Sequence, residues 1–204
     1  MCGIAGEFDV RGKRPVDESV LARMSATIIH RGPDESGTHV EAGLGLAHRR
    51  LSIIDLASGQ QPLFNEDRSV AVVYNGEIFN FPALMKELAG AGHEFRTRCD
   101  TEVIVHAWEQ WGEDCVHRFR GQFAFALWDR NKQTLFLARD RLGIKPLYYS
   151  YLPDGRLIFG SELKALLAHP GLRRELEPRA VEDYFTYGYI PEPKTILQDA
   201  YKLS

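Results

Sequence analysis

The sequence predicts an α+β fold, a layered sandwich of stacked antiparallel sheets covered by helices. Three observations carry that expectation. Short β-rich runs follow one another through residues 122 to 160 with turn residues between them, the pattern of hairpins. Segments with apolar residues at helical spacing are grouped between strands instead of alternating with them one for one, which disfavours a doubly wound parallel sheet. The 204 residues are 44% hydrophobic and include 11 Phe, 8 Tyr and 3 Trp, enough apolar material for the core of one large domain.

Taken in order, residues 3 to 8 (GIAGEF) read as a strand that begins directly behind Cys2, placing the cysteine at a strand mouth. Val20, Leu21, Met24 and Ile28 recur at helical spacing behind Pro15 and Asp17, predicting a helix from about 17 to 29 that stops at Arg31-Gly32-Pro33-Asp34. Residues 69 to 74 (SVAVVY) form a second strand. Phe81, Leu84, Met85 and Leu88 mark a helix ending near Gly90 and Gly92, and Val103, Ile104, Ala107, Trp108 and Trp111 mark another ending at Gly112, each with one apolar stripe. Strands follow at 122 to 129, 134 to 139, 146 to 151 and 156 to 160, with Asn131-Lys132 and Asp154-Gly155 as turns. After short helices at 162 to 168 and near 178 to 186, the tail loses periodicity. The domain is therefore expected over residues 1–190, with 191–204 as a linker.

A formal charge of -3 gives no general attraction to nucleic acid or to an anionic membrane surface. The N-terminus lacks a basic region followed by a long apolar run, and no stretch approaches eighteen consecutive apolar residues, so neither a signal peptide nor a membrane span is expected. Cys2, Cys99 and Cys115 form no CxxC pair and no metal-ligand spacing, and their odd number fits free thiols in a reducing, cytoplasmic setting. No metal site is expected.

Cysteine directly behind the initiator methionine can become the N-terminal residue once Met1 is trimmed. Its α-amine, with an ordinary pKa of about 7.7 to 8.0, then lies beside its own thiol at about 8.5, so one residue supplies both base and nucleophile. An incidental cysteine is the bland alternative for Cys2 taken alone. Likewise Asn75-Gly76 alone reads equally as a type I′ turn, and Asp100 before an apolar-periodic run as a helix N-cap.

The blocks MCGIAG, HRGPDESG, LAHRRLSIIDL, QQPL, YNGEIFN, CDTEVI, RDRLGIKPLYY and SELKAL resemble, in order and spacing over about residues 2 to 190, the glutaminase domain of glutamine-hydrolysing asparagine synthetases. These are class II glutamine amidotransferases with the four-layer αββα sandwich of the N-terminal-nucleophile hydrolases. The resemblance implies that Cys2 attacks the side-chain amide of L-glutamine, passing through a tetrahedral intermediate and a thioester to glutamate and ammonia. It assigns the oxyanion donors to the Asn75 carboxamide and the Gly76 backbone N–H, the substrate α-carboxylate to Arg50, and the α-ammonium group to Asp100. It assigns the pocket lining to Leu51, Ser52, Ile53 and Ile54, read as a strand, and to Glu77. His30, Arg31, Asp34 and His48 are expected in supporting roles, Arg49 as a solvated neighbour, and Arg139, Asp140 and Arg141 as either a structural network or a surface.

The resemblance further implies a synthetase domain, in cis or in trans, that makes asparagine with ATP and Mg. The chain contains no phosphate loop for it, so no cofactor is expected within these residues. The tail GYIPEPKTI resembles the connection into that domain. Acceptors other than aspartate, including carboxylates of cell-surface polymer pathways, the sibling enzymes that aminate sugar phosphates, a non-catalytic glutamine-binding module and a homodimeric assembly all remain open at this point.

Overall fold

A computed structural model describes residues 1–52 and 59–204. Its strands are β1 (Gly3–Asp9), β2 (Glu35–Glu41), β3 (Leu44–Arg50), β4 (Leu63–Phe64), β5 (Val70–Ile78), β6 (Gly121–Asp129), β7 (Thr134–Arg139), β8 (Tyr148–Tyr151), β9 (Arg156–Gly160) and β10 (Ala200–Lys202). They form a six-stranded sheet in the order β10-β8-β9-β1-β3-β2 and a four-stranded sheet in the order β4-β5-β6-β7. Every ladder between named strands is antiparallel.

The helices are α1 (Glu18–Thr27), α2 (Phe81–Gly90), α3 (Asp100–Trp111), α4 (Cys115–Arg118), α5 (Leu163–Leu167) and α6 (Pro178–Tyr187). The Asp17 carboxylate caps α1 by accepting from the backbone N–H of Ser19 at 2.9 Å, while Gly112, at φ 59°, ends α3 in a conformation that disfavours a side chain. Helices α1 and α5 pack on the outer face of the larger sheet, and α2 and α3 on the outer face of the smaller one. The expected α+β class and four-layer αββα order are what the chain forms.

Period-2 alternation decides what faces the space between the sheets. Ile4 on β1, Leu44 and Leu46 on β3, Ala71 and Val73 on β5, and Ala124, Ala126 and Trp128 on β6 meet there in one buried cluster. Their neighbours point outward: Ala5 packs toward α1, and Val72, Tyr74, Phe125 and Leu127 pack toward α2 and α3. Among the described residues, no helix is long and apolar enough to cross a membrane.

The structure departs from local sequence pattern in four places. Residues 35–50 form the β2-β3 hairpin, turning at Gly43 with φ 83°, where polar and charged side chains hide the apolar alternation. Asn75-Gly76 is no turn: the pair lies inside β5, opposite Ala124 and Phe123 of β6. Helix α3 is buried all around from Asp100 to Trp108, beyond one apolar stripe. The tail expected to be a linker folds back, with β10 pairing along β8 and Thr195 and Ala200 buried. A three-residue edge strand is too short to show periodicity, so only its partner reveals it.

Candidate active site

The same alternation that buries the inter-sheet core continues, at one end of the strands, into polar residues. On β3, Leu44 and Leu46 are followed at the same parity by His48 and Arg50. On β5, Ala71 and Val73 are followed by Asn75. The register Gly3↔Arg49 brings Cys2 beside Arg50 and Leu51, at the mouth of β1. A cavity of about 250 Å³ opens there, lined by Cys2, Arg50, Leu51, Asn75, Gly76, Glu77 and Asp100 among others. Seven of the expected site residues thus share one space.

Cys2 is half-buried and its sulfur lies against the backbone of Leu51, 3.4 Å from the N–H that donates to it and 3.7 Å from the carbonyl. Burial pushes the thiol above its ordinary value, opposed by the Leu51 contact, the chain-terminal amine and Arg50. Arg31 holds the Cys2 carbonyl through Nε at 3.0 Å and is itself tied by Nη1 to Glu162 at 2.9 Å. Burial disfavours charge on Glu162, yet Arg31, Lys164 and His30 outweigh it and hold that carboxyl down to about 2. The cysteine's backbone is therefore anchored by the turn behind α1 and, through Glu162, by the segment that follows the neighbouring strand β9.

Asn75 is 1% exposed, and neither its Oδ1 nor its Nδ2 has a hydrogen-bond partner among the described residues. An unpaired buried amide costs about 1–3 kcal/mol, and this one stands in the wall of the cavity, where a ligand could pair it. A Cβ at Gly76 would run into the carbonyl oxygen of Gln122 and stand 2.7 Å from the Phe123 Cα, so glycine is what lets β5 and β6 close up beside the site.

Asp100 is the first residue of α3; the cap position is Cys99, which makes no side-chain cap bond. The Asp100 carboxylate accepts from the Tyr74 hydroxyl at 2.7 Å and from the Ile78 N–H at 3.0 Å. Burial raises its pKa against those two bonds, and burial followed by the Asp100 charge drives Tyr74 well above its ordinary value. Arg50 is 4% exposed and its Nη1 donates to Glu35 Oε2 at 2.8 Å, a partner supplied by β2. Glu77 is exposed at the rim.

Leu51 and Ser52 lie just past the end of β3, not in a strand, and the Ser52 N–H donates to Asp34 Oδ2 at 2.8 Å. Ile53 and Ile54 fall outside the described residues. Arg49, expected in solvent, instead donates through Nε to Ser25 Oγ at 3.0 Å and so ties β3 to α1. His48 contacts the Tyr74 carbonyl at 3.1 Å, which bridges the two sheets behind the cavity. Arg139 and Asp140 form a structural network: Arg139 reaches the carbonyls of Lys145 and Leu203, and Asp140 accepts backbone N–H groups of Phe123, Leu142, Ile144 and Lys145.

Sequence reasoning missed Gln61, Tyr74, Lys145 and Glu35. Gln61 lines the cavity and accepts the Tyr74 N–H at 2.7 Å; it stands in the QQPL block, which carried its signal. Tyr74 was legible as the outward-facing neighbour of Asn75. Glu35 and Lys145 also stand in quoted blocks, but only the fold brings Glu35 against Arg50 and Lys145 to the cavity.

Two antiparallel sheets between helices, with a thiol at the mouth of a central strand and an unpaired buried carboxamide on the same cavity, define an N-terminal-nucleophile-hydrolase type of fold with a thiol-bearing pocket. A solved glutamine phosphoribosylpyrophosphate amidotransferase from B. subtilis, complexed with ADP and GMP, has the same fold, with a TM-score of 0.70 at 21% identity over 87% of this chain and 46% of that one. The chain belongs to the family described as the glutamine amidotransferase domain, which it matches across residues 1–204. It is 39% identical over 198 residues to asparagine synthetase [glutamine-hydrolyzing] 3 of Bacillus subtilis, covering 96% of this chain and 32% of that protein. It is 44% identical over 191 residues to asparagine synthetase 2 of the same organism, covering 92% and 25%. To asparagine synthetase 3 of Arabidopsis thaliana it is 45% identical over 166 residues, covering 81% and 28%. The chain thus spans about a third or less of these relatives' length.

Proposed function

We propose that the chain hydrolyses L-glutamine with Cys2 as nucleophile and hands the ammonia to a synthetase domain that makes asparagine. The observation that carries this is one cavity on which the Cys2 thiol, the unpaired Asn75 carboxamide, Arg50 and Asp100 converge. Removal of Met1, which is 55% exposed at the cavity mouth, frees the α-amine of Cys2 as the base that takes the thiol proton. The sulfur attacks the γ-carbonyl carbon, and the developing oxyanion is met by Asn75 Nδ2 and the Gly76 N–H. The amine then returns its proton to the departing ammonia. Water, activated by the same amine, cleaves the thioester to glutamate.

Arg50 holds the α-carboxylate with its planar fork, and Asp100 pairs with the α-ammonium group. Leu51 and Glu77 line the pocket, and family resemblance supports a substrate-binding role for Ser52, Ile53 and Ile54 beside them. No cofactor takes part in these steps; ATP and Mg belong to the synthetase domain, present in cis or in trans, and residues 191–204 lead toward it by way of β10. Asparagine synthetases that this chain matches along a quarter to a third of their own length support aspartate as the acceptor.

The test is covalent capture of a glutamine-mimicking diazoketone by protein whose N-terminal mass shows loss of Met1. One adduct on Cys2 is expected, and none on Cys2→Ala, which stays folded and releases no glutamate. Glutamate release that persists in folded Cys2→Ala protein would place the nucleophile elsewhere.

A further inference from the structure

Toward the C-terminal end of α3, away from the Asp100 end that lines the cavity, four side chains from three separate segments approach one another. Glu66 lies in the turn between β4 and β5, His93 follows α2, and His106 and Glu109 stand one turn apart on α3. One donor atom from each of Glu66, His93 and His106 falls within a 4.8 Å span of the others. His106 Nδ1 lies 3.1 Å from Glu109 Oε2 and 3.7 Å from Glu66 Oε2, and His93 Nδ1 lies 3.7 Å from the same Glu109 oxygen. A tetrahedral ion at the usual zinc distances to imidazole and carboxylate separates its ligand atoms by about 3.4 Å. The spacing already brackets that value.

The atoms facing away from this centre are also held. His93 Nε2 lies 3.2 Å from Gln110 Oε1, Glu109 Oε1 accepts from Asn65 Nδ2 at 2.7 Å, and Glu66 Oε1 accepts from the Glu94 N–H at 3.1 Å. His106 is 1% exposed, and its Nε2 has no hydrogen-bond partner among the described residues, with Glu102 Oε1 as its neighbour at 3.7 Å. His93 thus has the outer arrangement that orients a metal-binding imidazole, its second nitrogen turned to an acceptor, while the second nitrogen of His106 has only the nearby Glu102 carboxylate. Glu66, His93 and His106 face one point, and Glu109 stands against both imidazoles, a donor set that suits a cation.

We propose that Glu66, His93, His106 and Glu109 bind one divalent transition-metal ion of the zinc type. Mixed imidazole and carboxylate donors select such an ion over Mg²⁺ or Ca²⁺, which take all-oxygen shells. None of the four residues lines the cavity, so the ion acts on structure. It would clamp the segment after α2 to α3. That segment is already tied down by Glu102, which accepts the N–H groups of Arg96 at 2.8 Å and Thr97 at 2.7 Å, and it leads directly into Asp100.

The experiment is calorimetric titration of Zn²⁺ into untagged, chelator-stripped Cys2→Ala protein, where the cavity thiol cannot compete, with Co²⁺ as spectroscopic probe. One equivalent should bind, excess Mg²⁺ should not displace it, and Co²⁺ should give tetrahedral visible bands without thiolate charge transfer. His93→Ala, at a half-buried position that tolerates truncation, should lower Zn²⁺ affinity at least tenfold with unchanged circular dichroism, and Gln110→Ala about tenfold. Absence of stoichiometric binding, affinity indifferent to His93→Ala, or a thiolate charge-transfer band would each overturn the assignment.

Discussion

Replacing Asn75 by alanine should lower activity and raise stability, a combination that follows from its two unpaired buried atoms. A partnered buried amide contributes to stability, whereas an unpartnered one carries a desolvation penalty of about 1–3 kcal/mol. Alanine removes that penalty, and the vacated space opens onto an existing cavity, so little of the gain is returned as a sealed void. A net gain of about 1 kcal/mol would lift the melting temperature of a domain this size by about 2–4 °C. Losing one oxyanion donor, in contrast, costs about 10²–10³ in kcat, with KM little changed because the bond forms only in the transition state. The assay is glutamate release alongside thermal unfolding. Gln61→Ala is the control: it deletes an amide on the same cavity whose Oε1 accepts the Tyr74 N–H at 2.7 Å, and it should destabilise by about 1–3 kcal/mol. If Asn75→Ala destabilises as Gln61→Ala does, or keeps kcat within tenfold, the amide is structural and the reasoning fails.

Gly76→Ala should destabilise by several kcal/mol through overlap with the Gln122 carbonyl and Phe123 backbone, and soluble variant of wild-type melting temperature would contradict the close approach of β5 to β6. His48 is buried and held down to about 3, first by burial and then by Arg50, against the pull of the Tyr74 carbonyl. Below an ordinary value of about 6.5 the unfolded chain takes up a proton that the folded chain refuses, so stability present above 6.5 is lost as pH falls toward 3. His48→Gln should therefore lose about 2 kcal/mol less than wild type between about pH 7 and pH 5 in urea unfolding. Equal losses would mean that His48 protonates in the folded state.

How legible the molecule was depends on the range of the interaction concerned. Helix α1 announced itself because Asp17 and the apolar stripe at Val20, Leu21 and Met24 are local signals. The β6-β7 and β8-β9 hairpins were legible because their turns lie between the strands they join. The β2-β3 hairpin was not, because His39, His48, Arg49 and Arg50 gain partners from β5, α1 and the hairpin itself, so their polarity masks a strand. Within the site, Cys2, Arg50, Asn75, Gly76 and Asp100 were named from short blocks in order, and the structure places them on one cavity. Glu35 and Tyr74 stand in the same blocks, but their pairing with Arg50 and Asp100 was not legible, since each joins segments that local pattern does not connect.

By itself the sequence determined the residue types, the alternation along each strand, the caps and turns, and the blocks that mark the family. Those are properties of neighbours within a few positions. Only the tertiary structure decided that the parity of Leu44 and Leu46 and that of Ala71 and Val73 point at each other, so that Arg50 and Asn75 meet at one end of the same buried layer. It also decided that Glu66, His93 and His106 share a point with Glu109 against both imidazoles, and that residues 200–202 pair onto the larger sheet. The physical reason is the same in each case: periodicity fixes which way a side chain faces along its own element, while the register and packing between elements fix what it finds there.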